Sequence, residues 1–85
     1  MNHHAKIKIA ILRSLKRMPK GYPMRDDALR AEIGLEVTPR PTLLDIEEAI
    51  ADLEQAGCIV GCRNELTGER KWMVTDLGVL QLGQL

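Results

Sequence analysis

The cysteines and histidines, whose side chains bind metals and react as nucleophiles or bases, number four in this sequence: Cys58, Cys62, His3 and His4. If residues 58–63 form a strand at about 3.3 Å per residue, the Cα atoms of the two cysteines lie about 13 Å apart, too far for a disulfide. We therefore expect two reduced, buried thiols, since free cysteines are usually buried. A zinc site would need two ligands in addition to the cysteines, and the histidines that could supply them, His3 and His4, lie near the start of the chain and far from the cysteines in the sequence. Structural zinc sites usually show paired, closely spaced ligands, so we expect neither a metal nor a cofactor.

Motifs of enzyme active sites are not found in the sequence. It has no glycine-rich phosphate loop and no nucleophile elbow, and no histidine follows residue 4 to act as a base in the middle of the chain. Since a catalytic site needs a nucleophile or base held by partner groups, we expect that the protein is not an enzyme.

The length and composition indicate one small domain, residues 1–85, with a core made of aliphatic side chains because phenylalanine is absent. No run of about 18 apolar residues is present, so no membrane-spanning segment is expected. The first residues interleave lysines with isoleucines instead of forming the continuous apolar stretch of a signal peptide. This pattern favours a cytoplasmic protein.

Charge is unevenly distributed although the net charge is zero. Residues 1–25 carry seven basic residues and no acid, whereas residues 26–62 carry nine acids and two basic residues. The pattern predicts a basic side and an acidic side. The basic residues of the first helix form either an ordinary solvated surface or a contact with phosphates or an acidic partner.

The chain is organised around a predicted helix at residues 42–56, because apolar residues recur there at steps of three and four. Thr42 can cap its start, with Asp45 three residues on, and Gly57 can end it in a left-handed conformation. The predicted core face of this helix contains Leu43, Ile46, Ala49, Ile50, Leu53 and Ala56.

The other predicted elements surround this helix. A helix over 4–18 precedes a helix over 25–33, which Asp26 or Asp27 caps and Gly34 stops. Strands at 58–63 and 70–74 are joined by a loop at 64–69, and a short helix follows Thr75. The residues expected to pack from this last helix are Leu77, Leu80 and Leu82. The fold class is α+β.

The order of the elements and three stretches of the sequence resemble a winged helix-turn-helix domain. The resemblance covers nearly the whole chain. Residues 53–59 resemble the "Leu-Glu-x-x-Gly-hydrophobic-Ile" exit from the recognition helix, and residues 28–34 resemble the usual second helix. Residues 72–78 resemble the "aromatic-x-aliphatic-Thr-x-x-Gly" run that closes the wing in bacterial regulators of the MarR and PadR type. The connector before Thr42 is longer than the usual tight turn.

The resemblance implies a DNA-binding transcriptional regulator, with helix 42–56 as the recognition helix and hairpin 58–74 as the wing. The N-terminal residues of the recognition helix then meet base edges, and wing residues meet phosphates. The residues that the resemblance implies to contact double-stranded DNA are Arg40, Thr42, Arg63, Arg70 and Lys71. Alternatively, the three wing cations pair across the hairpin with Glu65 and Glu69.

An alternative function follows from the charge of helix 42–56, which has five acids and no basic residue. Affinity for DNA comes largely from neutralising phosphates, so this helix is a poor partner for a duplex. The alternative is a winged-helix module that docks on a protein and binds no DNA, through Leu44, Glu48 and Ala51 on the outer face of the helix.

A homodimer is expected in addition, because the first helix and the C-terminal tail carry more apolar residues than one small core needs. The residues concerned are Ile9, Leu12, Val79, Leu82 and Leu85.

Overall fold

The computed structural model describes residues 2–85; Met1, which belongs to the predicted 1–85 domain, lies outside the described residues. The elements are α1 (His3–Lys16), β1 (Met24–Arg25), α2 (Asp26–Glu36), α3 (Leu43–Gln55), β2 (Ile59–Arg63), β3 (Arg70–Val74) and α4 (Asp76–Gly83). The α+β winged helix-turn-helix is therefore confirmed: three helices, a β-hairpin wing and a short C-terminal helix. No helix within residues 2–85 combines the length and the apolarity that crossing a bilayer requires.

The core lies between the three long helices and the base of the wing. The apolar stripes of α1, α2 and α3 face one another there, and the single tryptophan, on β3, is buried beside them. The buried residues that carry these contacts are Ile7, Ile11, Leu15, Leu29, Ile33, Ile46, Ile50, Leu53 and Trp72. Leu12, expected to be surplus to this core, is also buried within it.

Helix α3 begins and ends where the sequence predicts. The Thr42 hydroxyl accepts a hydrogen bond from the Asp45 amide, and the Asp45 carboxylate accepts one from the Thr42 amide, which completes a capping box. Gly57 follows the helix with φ of 79°, a conformation that costs glycine little. The predicted core face was wrong at its ends: Leu43 and Ala56 are exposed, because the core reaches only the turns from Ile46 to Leu53.

Helix α2 differs from its prediction at both ends. Gly34 does not stop it; the helix continues to Glu36, and the Val37 amide still donates to the Ile33 carbonyl at 3.2 Å. Val37 is buried, and burying its side chain favours the extra turn over termination at a glycine. The N-cap residue, Arg25, makes no side-chain cap hydrogen bond. Of the two predicted caps, Asp27 lies inside the first turn and accepts from the Ala28 amide at 2.9 Å, whereas the Asp26 carboxylate is bound elsewhere, as described below.

The sheet has a third strand that the sequence analysis did not predict. β3 lies at its centre between β1 and β2, and both pairings are antiparallel. β1 is only two residues long, too short for a periodic signal, and it places Met24 opposite Trp72. Both side chains are buried, so β1 attaches the start of α2 to the wing.

Helix α4 makes its closest approach through a glycine, and of the three leucines that were expected to pack, only Leu82 is packed against the core among the described residues. Leu77 and Leu80 are exposed and Leu82 is half-buried, whereas Gly78 is buried. A β-carbon on Gly78 would lie 2.2 Å from the Cys58 carbonyl oxygen. The helix approaches the chain closely at this point, and this contact decides which face of α4 turns inward.

Candidate nucleic-acid interface

The outer face of α3 carries a row of exposed side chains along its length. Leu44, Glu48, Ala51 and Gln55 lie on it at successive three- and four-residue steps, and all four are exposed. Leu44 exposes 65% of its surface and Leu43, beside it, 72%. The first turn of α3 is therefore both accessible and apolar.

The outer face of α3 carries less negative charge than the sequence predicts, because two of the five acids of this helix form ion pairs at its sides. The His4 ring donates a hydrogen bond of 2.7 Å to Asp52, and the Lys8 ammonium lies 3.6 Å from the same carboxylate. The His4 hydrogen bond, with the Lys8 charge, lowers the pKa of Asp52. Glu47, on the other side, lies between two arginines.

Asp45 is also occupied, by the capping box at the start of α3. The hydrogen bond from the Thr42 amide, 3.0 Å long, lowers the pKa of Asp45 and keeps its carboxylate against the backbone. Thr42 itself is exposed, and its hydroxyl oxygen accepts from the Asp45 amide at 3.1 Å. Within residues 2–85, the acids of α3 that form no ion pair are therefore Glu48, Glu54 and the capping Asp45.

A polar network joins α2, α3 and the wing beside the row of exposed side chains on α3. The Trp72 indole N–H donates to one oxygen of Asp26 at 2.8 Å, and the Arg30 guanidinium donates to the other at 2.7 Å. Arg30 also donates to Glu47. The Glu47 carboxylate in turn lies 3.8 Å from Arg70 on β3. Five side chains from three elements thus fix the wing against α3.

The charge state of Asp26 follows from this network. Partial burial raises the pKa of Asp26, but the hydrogen bonds from Arg30 and Trp72, together with the charges of Arg30 and Arg70, outweigh that effect. The net pKa of Asp26 is lowered, so the carboxylate stays ionised at neutral pH and holds both donors.

The wing places two of its three predicted cations on one face. Arg63 and Arg70 are directly opposite each other across β2 and β3, and opposed residues of an antiparallel pair share a face. The Arg70 guanidinium lies over the Trp72 ring, 4.6 Å from its centroid. Lys71 is one residue on and therefore points to the other face, where it is opposite Cys62.

Partners of the wing cations differ from the cross-strand pairs proposed from the sequence. Arg70 approaches Glu47 of α3, and Glu69 pairs at 3.0 Å with Arg25 of β1. Within the part of the chain that the structure describes, Arg63 and Lys71 form no ion pair, and both are exposed. Their charges are therefore available to a ligand.

Arg40 is exposed in the connector before α3, but its side chain lies along α2. Its Nε atom is 3.7 Å from the position that a β-carbon on Gly34 would occupy. The structure thus brings Arg63 and Arg70 together beside α3, holds Thr42 at the start of that helix, and leaves Arg40 and Lys71 outside the cluster.

The sequence analysis missed the parts of this site that long-range contacts create. Asp26 was assigned to a helix cap and Arg30 was given no role, although their four-residue spacing is a signal for an ion pair on a helix. No local pattern links Glu47 to Arg70, since the two residues lie on different elements.

The basic side of α1 is only partly free. Arg17 donates to Glu32 at 2.7 Å and to Glu36 at 3.0 Å. The hydrogen bond with Glu36 is the largest of the effects that raise the pKa of Arg17. Within residues 2–85, the basic residues of and just after α1 that form no ion pair are Lys6, Arg13, Lys16 and Lys20.

The two cysteines have different environments, and the prediction of two buried thiols was wrong for one of them. Cys58 is buried, but Cys62 is exposed on the outer face of the wing. The reason is that Cys58 precedes β2 and faces α4, whereas nothing within residues 2–85 covers the outer face at Cys62. No group of three or more metal-ligating side chains occurs among the described residues.

Comparison with known proteins supports the fold. No family model matches this chain, and no curated protein matches it. Among solved structures, a protein of Thermoplasma acidophilum proposed to be a transcriptional regulator superposes with a TM-score of 0.74 at 18% sequence identity, over 95% of this chain and 75% of that one. At this identity the likeness concerns the fold, and it agrees with the winged-helix architecture of this chain.

Proposed function

We propose that this protein is a DNA-binding transcriptional regulator that resembles the MarR and PadR type and acts in the cytoplasm. Helix α3 enters the major groove and the wing, residues 58–74, follows the backbone. The observation that carries the proposal is the directly opposed pair Arg63 and Arg70 beside α3. Two like charges at opposed positions destabilise a hairpin unless an anion lies between them, and a phosphate is such an anion.

The likeness to the Thermoplasma acidophilum protein, which is itself proposed to be a transcriptional regulator, supports the same role. Within this proposal Arg63, Arg70 and Lys71 bind phosphates, since arginine matches phosphate geometry. Arg40 and Thr42 lie before and at the start of α3, the part of a recognition helix that meets base edges. The ion pairs of Glu47 and Asp52 reduce the repulsion between α3 and the duplex.

A gel shift on a random-sequence duplex of 30 base pairs tests this proposal. At low salt the protein is expected to shift the duplex at micromolar concentration, because sequence-independent binding rests on phosphate contacts and strengthens as salt falls. Leu44→Asp, which adds a charge to the row of exposed side chains on α3, is expected to weaken the shift. If the unaltered protein gives no shift under these conditions, the regulator proposal is wrong.

A second candidate function is a protein-interaction module that binds no DNA. It is favoured by the exposed apolar pair Leu43 and Leu44 next to Glu48, which forms no ion pair within residues 2–85. Leu44, Glu48 and Ala51 would form its docking surface. This function predicts no duplex binding at any salt concentration, together with loss of a protein partner in the Leu44→Asp variant.

We also propose that the protein is a homodimer through α1 and the C-terminal helix. Leu12 is no longer available for this interface because it is buried in its own core, and Leu82 is half-buried there. The apolar residues of α4 and the tail that remain exposed are Leu77, Val79, Leu80 and Leu85. Large apolar side chains grouped in this way are typical of association surfaces.

A further inference from the structure

Glu47 lies between two arginines, Arg30 and Arg70, which differ in the other interaction partners available to them. Its carboxylate accepts a hydrogen bond from Arg30 through Oε2, and its Oε1 atom is 3.8 Å from the Arg70 guanidinium. The Glu47 side chain is 47% exposed and the Arg70 side chain 36% exposed. Both groups of the longer contact are therefore accessible to a third, dissolved charge.

Without Glu47, Arg30 keeps a direct ion pair, whereas Arg70 keeps only its longer-range attraction to Asp26 and its contact with the Trp72 ring. The Asp26 carboxylate accepts from Arg30 at 2.7 Å and is held in place by the Trp72 indole. Among residues 2–85, Glu47 is the carboxylate that pairs with Arg70, and Arg63 directly opposite adds a like charge. Neutralising Glu47 therefore leaves Arg30 paired and removes the carboxylate that forms an ion pair with Arg70.

We propose that Glu47 competes with phosphate for Arg70 and thereby sets the affinity of the protein for nucleic acid. This inference rests on the proposed function, because it concerns the strength of the same contact. A phosphate that binds the Arg63–Arg70 pair must approach the Glu47 carboxylate, and two anions within several ångströms repel each other. The acid thus weakens binding to every duplex alike and leaves sequence preference unchanged.

The test compares Glu47→Gln with Glu54→Gln in the full chain, using fluorescence anisotropy with a labelled random-sequence duplex at low salt. Glu54 lies on α3 two turns beyond Glu47, is exposed, and forms no ion pair within residues 2–85. Both variants change the net charge equally. Glu47→Gln is expected to tighten binding by roughly fivefold, the size of one charge–charge interaction in water, and Glu54→Gln by much less.

A double variant shows whether the effect acts through Arg70. In an Arg70→Ala background, Glu47→Gln is expected to give no gain beyond that of Glu54→Gln. Emission from Trp72, the single tryptophan, provides a second measurement, since Arg70 lies over its ring. Duplex or inorganic phosphate is expected to perturb this emission at lower concentration in Glu47→Gln than in the unaltered protein.

Several outcomes would overturn the inference. Equal gains from Glu47→Gln and Glu54→Gln would show a general charge effect, and a gain that persists without Arg70 would show a different route. Both results leave the proposed function intact. If neither the unaltered protein nor Glu47→Gln binds duplex, the proposed function fails and the inference fails with it. Glu47→Ala, which removes the carboxylate without adding an amide, is expected to repeat the result should Glu47→Gln fold poorly.

Discussion

Arg63 and Arg70 are direct cross-strand partners in the wing, on the face that adjoins helix α3. Like charges in this position cost a hairpin stability. Within residues 2–85 the carboxylate that forms an ion pair with one of these two arginines is Glu47, which contacts Arg70 at 3.8 Å and Arg30 more closely. Because Arg63 has no ion-pair partner there, we expect a bound anion to stabilise this pair of arginines.

A consequence for stability follows from the opposed arginines. Replacing Arg63 with Thr is expected to stabilise the folded protein by about 0.2–1 kcal/mol, because it removes the cross-strand repulsion and threonine suits a strand. Urea unfolding in a buffer without phosphate measures the change. Lys71→Thr, on the opposite face of β3, serves as the control. A loss of stability in Arg63→Thr larger than that in the control would contradict this interpretation.

The network around Asp26 predicts a pH dependence. The pKa of Asp26 is lowered in the folded protein, so its contribution is present above the unfolded pKa of about 3.9 and is lost as the pH falls through the folded value. Asp26→Asn is expected to cost about 1.5–3 kcal/mol at pH 7, the range for a hydrogen bond to a charged group.

Urea unfolding of both proteins between pH 7 and pH 2 checks the sign. The difference between the unaltered protein and Asp26→Asn is expected to shrink as the pH falls. Asp27→Asn, whose exposed carboxylate accepts from the Ala28 amide and pairs with Arg25, is expected to cost less than Asp26→Asn at pH 7. A difference for Asp26→Asn that stays constant down to pH 2 would show that the carboxylate charge is not what stabilises the network.

The helical core gives a prediction of a different kind. Ile50, in the middle of α3, is buried in the core to which α1 and α2 also contribute. Ile50→Ala is expected to cost about 2–5 kcal/mol in the free energy of unfolding, from lost transfer energy and the cavity left behind. Chemical denaturation followed by circular dichroism measures it, and a cost below about 1 kcal/mol would mean that α3 does not pack as described.

The homodimer proposal is tested by light scattering at micromolar concentration. The unaltered chain is expected to scatter with about twice its own mass of 9.5 kDa, and Leu80→Glu on α4 is expected to shift the equilibrium to the monomer, because a charge does not fit an apolar interface. Leu66→Glu at the exposed tip of the wing is the matched control. A monomer in the unaltered protein would remove the proposal.

Local signals explain which parts of the fold were predictable from the sequence. The capping box of Thr42 and Asp45, the left-handed Gly57 and the apolar period of α3 all depend on residues within one turn of one another, and all three were predicted. Gly34 carried the same local stop signal as Gly57. The signal at Gly34 did not end α2, because the helix continues to Glu36 and places Val37 in the core, a long-range contact that no local signal reports.

The candidate site was predictable only as a set of residue types. The arginines of the wing stand out in the sequence because they flank a predicted hairpin, and their register follows from the hairpin once it is known. The roles of Asp26, Arg30 and Glu47 depend on how α2, α3 and β3 meet in space. Counting five acids on α3 overstated its outward charge for the same reason.

Salt dependence of duplex binding tests the central claim most directly. Anisotropy with a random-sequence duplex is measured over a range of salt for the unaltered protein, for Arg63→Ala with Arg70→Ala, and for Arg13→Ala with Lys16→Ala. The last pair removes two exposed charges of α1 that form no ion pair within residues 2–85. We predict that losing the wing pair flattens the slope of log affinity against log salt by about 1.8, at about 0.9 per phosphate contact, and that the α1 pair leaves it unchanged. Equal slopes for the two double variants, or no binding by the unaltered protein at low salt, would contradict the account.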